Sequence, residues 1–141
     1  MFGAGGTRTF PAIYALGGDS ADSIGWRQAA GFGSIFLPLK SQRVVKWNVT
    51  NRPPRRRLND SDIEELEKCA CPICSCGLTI GSRLAAMEQN FYNRSIHNAW
   101  IITNQTMFWP EGRARMISRV GEGMLGAQWA EAVNRARWSG A

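Results

Sequence analysis

The chain has 141 residues and a formal net charge of +6, from 17 basic and 11 acidic residues. Hydrophobic residues make up 44% and charged residues 20%, an ordinary balance for a globular protein that allows one core at about one domain's length. No apolar run approaches the roughly 20 residues that a membrane-spanning helix requires, so the sequence reads as having no membrane partner.

The first residues, MFGAGGTRTF, lack the basic region and apolar core of a signal peptide. The expectation is an intracellular, cytoplasmic protein, in which the Asn-x-Ser/Thr matches at Asn48, Asn59, Asn93 and Asn104 carry no glycan. The excess of positive charge suits a polyanionic partner such as nucleic acid. In chain order, FGAGG is a glycine-rich turn. Gly3 and Gly5 there can present backbone N–H groups to a phosphate or ring edge, or simply make a tight loop. TFPAIYALG predicts a short helix, with Pro11 near its start, Gly17 near its end, and Ile13, Tyr14 and Leu16 buried. GGDSADS places Asp19 and Asp22 just before IGWRQAAGFG, the pattern of a short strand, acidic residues and a helix in an α/β unit.

SIFLPLK and RVVKWNV predict strands or extended segments. NRPPRRR, carrying Arg52, Arg55, Arg56 and Arg57, is either a solvated linker or a phosphate-contacting loop. NDSDIEELEK predicts a helix capped by Asp60 or Ser61, with Asp62, Glu64 and Glu65 in its favourable first turn. GSRLAAMEQNFYNRSIHNAW predicts one helix whose apolar face is Leu84, Met87, Phe91 and Ile96. From Gly112 the tail predicts an amphipathic helix with Met116, Val120, Met124 and Trp129 on one face and Arg113, Arg115 and Arg119 interleaved. No internal repeat is present.

All four cysteines, Cys69, Cys71, Cys74 and Cys76, fall in KCACPICSCG. A reducing cytosol disfavours disulfides, and such close bridges would constrain the unfolded chain little. Cys71-Pro-Ile-Cys74 is a C-x-x-C, but thioredoxin-like pairs do not normally carry flanking cysteines. Tetrahedral zinc fits better, since thiolates two to four residues apart can reach one ion. C-x-C-x-x-C-x-C crowds four sulfurs, so three thiolates plus a distant imidazole is sterically easier. The single histidine, His97, lies 23 residues beyond Cys74. Cys69, Cys71, Cys74 and His97 are therefore the expected ligands, with Cys76 a spare that can substitute. A closed four-ligand site predicts structural zinc.

The order FGAGG, LGGDSADS, C-x-C-P-x-C and His-Asn resembles the C-terminal portion of tRNA-guanine transglycosylases, matching in order over residues 2 to 105. The resemblance implies the last two strands of a (β/α)8 barrel in residues 1–47, a basic linker in 48–60 and a helical zinc-binding subdomain with a C-terminal helix in 61–141. It implies exchange of guanine in tRNA or DNA for a 7-deazaguanine base, as in queuosine or archaeosine formation. The second aspartate of D-x-x-D falls on Asp22, the implied nucleophile, and the three cysteines and His97 are the implied zinc ligands; Gly3 and Gly5 of the glycine turn and Arg55, Arg56 and Arg57 of the basic loop are the expected substrate contacts. An ionised Asp22 would attack the anomeric carbon as the N-glycosidic bond breaks, and the incoming base would then displace it with retention. Asp19 is expected to be structural.

The chain departs from the family in two places. A complete barrel takes roughly 250 residues, so most of it, with the family's other catalytic aspartate, is not accounted for. The expectation is a piece of a split enzyme with a partner chain, a truncated one, or a remnant that binds nucleic acid through its arginines and through aromatics such as Trp100 and Trp109. In addition, SIGWRQAAGFG stands where the bacterial enzymes carry a basic Pro-Thr-Arg run. That moves the chain toward archaeal transglycosylases or their DNA-modifying relatives. Family members often dimerise through the zinc region, so contacts between copies are expected there.

Overall fold

The structure, a computed structural model, describes residues Thr7, Thr9, Phe10, Ile13, 22–38, 40–46, 57–77 and 79–107. The glycine turn, Asp19, most of residues 1–21, most of the basic loop and the C-terminal tail lie outside the described residues. Of the first predicted helix, Thr9, Phe10 and Ile13 are helical, and Phe10 and Ile13 are buried as core residues.

Helix α1, Gly25–Gly31, is seven residues long and has no side-chain cap at Ile24. The Ser23 hydroxyl instead accepts from the Gly25 amide at 2.8 Å. The helix ends where Gly33 turns into the left-handed region at φ 71° and donates to the Ala30 carbonyl. Strand β1, Ser34–Ile35, then pairs antiparallel with β2, Arg43–Val44, in the register Ser34 to Val44 and Ile35 to Arg43. Val44 also forms a parallel bridge with Arg57.

The two predicted strand segments are thus far shorter than their apolar runs. Both main-chain groups of Phe36 are taken by side chains of a distant helix: its amide donates to Asn98 and its carbonyl accepts from His97. With those groups engaged and Pro38 following, no ladder continues.

Helix α2, Asp60–Glu67, starts with a capping box. Asn59 Oδ1 accepts from the Asp62 amide at 2.9 Å, and Asp62 Oδ2 accepts from the Asn59 amide at 3.2 Å. The cap is Asn59, not Asp60 or Ser61. Asp62 is wholly buried, and Arg43 Nε and Lys40 Nζ donate to its carboxylate at 2.5 and 3.0 Å. Lys40 also meets Glu65 at 3.1 Å. Helix α3, Pro72–Ser75, is one turn with proline at its start. Helix α4, Ile80–Gln89, is capped by a Thr79–Ser82 box.

One continuous helix was expected from Gly81 through Trp100; the structure breaks it. Asn90 is extended (φ −125°, ψ 122°), and helix α5, Phe91–Met107, starts anew. The break re-phases the buried face. Met87 stays in the core as expected and Leu84 packs against it, but Ile96 is 45% exposed. The buried face of α5 carries Arg94, Ser95, His97, Asn98 and Ile101.

The core crosses the whole described chain. Ile35 and Leu37 pack with Leu66, Cys71, Cys74 and Met87. Ala29, Phe36 and Ile101 form a neighbouring cluster, and both Trp100 and Cys69 touch the two. Two arginines tie the C-terminal carbonyls of neighbouring helices together. Arg83 donates to Leu66 and Glu67 carbonyls of α2. Arg94 donates to Met87 and Glu88 of α4 and to Ala30 of α1. Among the described residues, no helix is long and apolar enough to cross a membrane.

Candidate metal centre

Two elements bring four donors together. Around α3 the chain makes a single turn, with Cys71 at its N-cap and Cys74 inside it. Cys69 lies two residues before that turn. From the other side, α5 presents His97, which is fully buried. The ligand atoms of Cys69, Cys71, Cys74 and His97 all lie within 4.8 Å of one another.

His97 Nδ1 is 3.8, 3.3 and 3.7 Å from the sulfurs of Cys69, Cys71 and Cys74. Bond lengths of about 2.3 Å to sulfur and about 2.0 Å to nitrogen, at tetrahedral angles, imply sulfur–nitrogen separations of about 3.6 Å. The three observed values bracket that figure. The donor set therefore fits one tetrahedral cation.

The surroundings orient the donors. His97 Nε2 lies 2.9 Å from the Phe36 carbonyl oxygen. A carbonyl only accepts, so Nε2 carries the proton and Nδ1 turns its lone pair to the sulfurs. The Cys74 amide donates to Cys71 Sγ at 3.3 Å, a bond that favours the thiolate.

The electrostatics are those of a cation site. Hydrogen bonds from Cys69 and Cys74 push the Cys71 thiol far down, against the opposing effect of burial. Cys74 is pushed far up, by its contacts with Cys69 and Cys71 and by burial. Burial lowers His97, but Cys69 and Cys71 more than offset it and raise it to about 9, so a cation bound among the sulfurs takes the place of a proton on Nδ1. Thiolates so close repel one another, and a cation among them removes the repulsion. The Cys3His cluster can hold a metal ion.

Cys76 is exposed at the C-cap of α3 and stands outside the cluster. A Cys76→Ser protein is expected to keep its full metal stoichiometry by elemental analysis, with a change in stability within about 0.5 kcal/mol. A halved metal content would restore Cys76 as a ligand.

Of the remaining predicted site residues, those that the structure describes are not brought to this cluster. Asp22 is exposed just before α1. Arg57 is exposed beside Val44. Trp100 is half-buried and packs against the core. Gly3, Gly5, Arg55, Arg56 and Trp109 lie outside the described residues. Sequence reasoning missed Phe36, whose contribution is a main-chain carbonyl and amide with no side-chain signature. It also passed over Asn98, visible only as the neighbour of His97. No family model, no curated protein and no solved structure matches this chain.

Proposed function

We propose that the centre binds structural zinc and that the chain is the C-terminal part of a base-exchange transglycosylase acting on tRNA or DNA. The carrying observation is that the Cys3His cluster and the helix that follows Asp22 are held by one element, α5. His97 faces the cysteines, while Asn98 and Arg94 hydrogen-bond Trp26 and Ala30 of α1. Three sulfurs and an imidazole suit zinc, and four protein donors leave no open position for substrate or water. Zinc in such a site cross-links α3 to α5 and supplies no chemistry to the reaction.

In this reading Asp22 is the nucleophile. Its carboxylate bonds to the anomeric carbon as guanine leaves with the N-glycosidic electron pair, and the 7-deazaguanine nitrogen displaces it. Arg55, Arg56 and Arg57 contact phosphates, with Gly3 and Gly5 beside the base. The remaining barrel strands come from a partner chain, and the zinc region is the surface for pairing of two copies.

The test is exchange of labelled guanine into tRNA and duplex DNA, by this chain alone and with a chain carrying the remaining strands. Wild type is expected to trap a covalent glycosyl adduct. Asp22→Ala is expected to lose the adduct and at least about 10³-fold of the exchange rate. Full activity in Asp22→Ala would end the assignment.

The exposure of Asp22 favours a second reading, a non-catalytic zinc-containing module or remnant that binds nucleic acid. Its signature is salt-dependent binding of tRNA or DNA without exchange, with Arg57→Ala lowering the slope of log affinity against log salt by about 1.

A further inference from the structure

His97 and Asn98 are consecutive, and both hold Phe36. His97 Nε2 donates to the Phe36 carbonyl at 2.9 Å, and the Phe36 amide donates to Asn98 Oδ1 at 2.7 Å. The Asn98 amide nitrogen then donates to the carbonyls of Trp26 at 3.0 Å and Ser34 at 3.2 Å. Asn98 is wholly buried. Burying an amide is costly unless it is bonded, and here three bonds are made, to three separate points of the backbone.

Helix α1 needs such support. It has seven residues, a glycine at each end and no side-chain cap. A helix that short does not persist on propensity. It is held at two points by α5. Near its start, Asn98 takes the Trp26 carbonyl. At its end, Arg94 takes the Ala30 carbonyl at 2.8 Å and is itself fixed by Met87 and Glu88 of α4. Among the described residues, the side chain of the second anchor bonds only to the carbonyls of Met87, Glu88 and Ala30, none of them a ligand or Phe36. The first stands beside the imidazole and shares Phe36 with it.

We infer that Asn98 is a positioning residue that couples cation occupancy of the Cys3His centre to the placement of the N-terminal half of α1, and so of Asp22 just before it. Ligation through Nδ1 keeps Nε2 protonated and fixes the ring plane. The ring fixes the Phe36 carbonyl. Asn98 carries that constraint to Ser34 and Trp26, while Arg94 holds the far end regardless. Loosening the centre therefore frees the Asp22 end of α1 before the Ala30 end. By linkage, tightening that end raises metal affinity by the same factor.

The inference rests on the metal assignment of the proposed function, not on the chemistry of Asp22, and its readout needs no substrate. Amide hydrogen exchange is followed by NMR on the full zinc-loaded chain. The reporters are the amides of Arg27 and Gln28, which bond to the Ile24 carbonyl, against those of Phe32 and Gly33 at the far end. In Asn98→Ala, one metal per chain and the cobalt-thiolate absorption of a cobalt-loaded sample are expected to persist. Protection at Arg27 and Gln28 falls roughly tenfold or more, and at Phe32 and Gly33 much less. His97→Cys, which can keep the cation with four sulfurs, is expected to loosen Phe36, Arg27 and Gln28 in the same order. Unchanged protection at Arg27 and Gln28 in either metal-loaded variant would overturn the coupling, and so would a uniform loss across α1 and α4. Should neither variant fold, wild type under rising chelator decides. Arg27 and Gln28 must lose protection together with Ser75 and ahead of Phe32. Holding it until global unfolding sinks the inference.

Discussion

Replacing His97 by alanine is expected, on the proposed zinc assignment, to abolish stoichiometric metal binding and to leave a chain that unfolds at or near room temperature. Structural zinc contributes apparent binding energies on the order of 10 kcal/mol in small domains, against total stabilities of about 5–15 kcal/mol. Three thiolates with no fourth donor at their usual spacing hold the ion far less tightly. The substitution also strands the Phe36 carbonyl, which accepts from Nε2 in a fully buried position. An orphaned buried acceptor costs about 1–3 kcal/mol by itself. Elemental analysis after gel filtration against a chelator, with near-ultraviolet circular dichroism, checks both parts. One zinc per chain in His97→Ala would mean that Cys76 swings in from the C-cap of α3 and that the ligand set is all cysteine. His97→Cys separates the two losses, because it can restore the ion but not the bond to Phe36.

That centre was legible in the sequence because metal donors are rare residue types with steric spacing rules. Four cysteines in one short stretch and a single histidine leave few combinations. Cys76 was not decidable in advance, since the choice depends on the α3 turn ending at Ser75 and leaving the next residue facing outward. The helix carrying His97 was legible as a helix but not in its phase. Ile96 reads as part of an apolar stripe only if the helix runs unbroken through Asn90. The real buried face of α5 is built around Arg94, Ser95, His97 and Asn98, and a polar face is invisible to a hydrophobic pattern. The strands fared likewise. SIFLPLK is apolar enough for a longer strand, yet its ladder stops at Ile35 because the next residue spends both main-chain groups on α5.

The second large effect is expected at Asp62. Its carboxylate is wholly buried and meets Arg43, itself buried, and Lys40. Asp62→Ala is expected to cost about 3–5 kcal/mol in a urea melt, because it leaves the Arg43 guanidinium buried without its counter-charge. The double variant Arg43→Met, Asp62→Leu is expected to recover most of that loss, since two apolar side chains need no mutual charge.

The pH dependence has a definite sign. Burial raises the Asp62 carboxyl, but hydrogen bonds from Arg43 and Lys40, with the Asn59 amide, outweigh it and hold the group below its ordinary 3.8. A carboxyl lowered in the folded state contributes stability that is complete above its unfolded value and is lost as pH falls through the folded one. The stability gap between wild type and Asp62→Asn should therefore be constant near neutral pH and narrow in acid, below 3.8. A gap that widens with acid would contradict the arrangement. Taking the difference between the two proteins cancels any parallel loss of a thiolate-bound metal to competing protons.

The long reach of α5 toward the start of the chain also bears on biosynthesis. Phe36 and Asn98 are 62 positions apart. At ribosomal rates of about 5–20 residues per second, the nascent segment Ile35-Phe36-Leu37 waits on the order of 3–12 s for the asparagine that will clasp it. During that interval Ile35 and Leu37 can find Leu66, Cys71, Cys74 and Met87 as these emerge, but the Phe36 backbone still lacks its clasp. Cellular yield of this protein should therefore respond to holdase chaperones and to translation speed through codons 37–98, and not to metal supply alone.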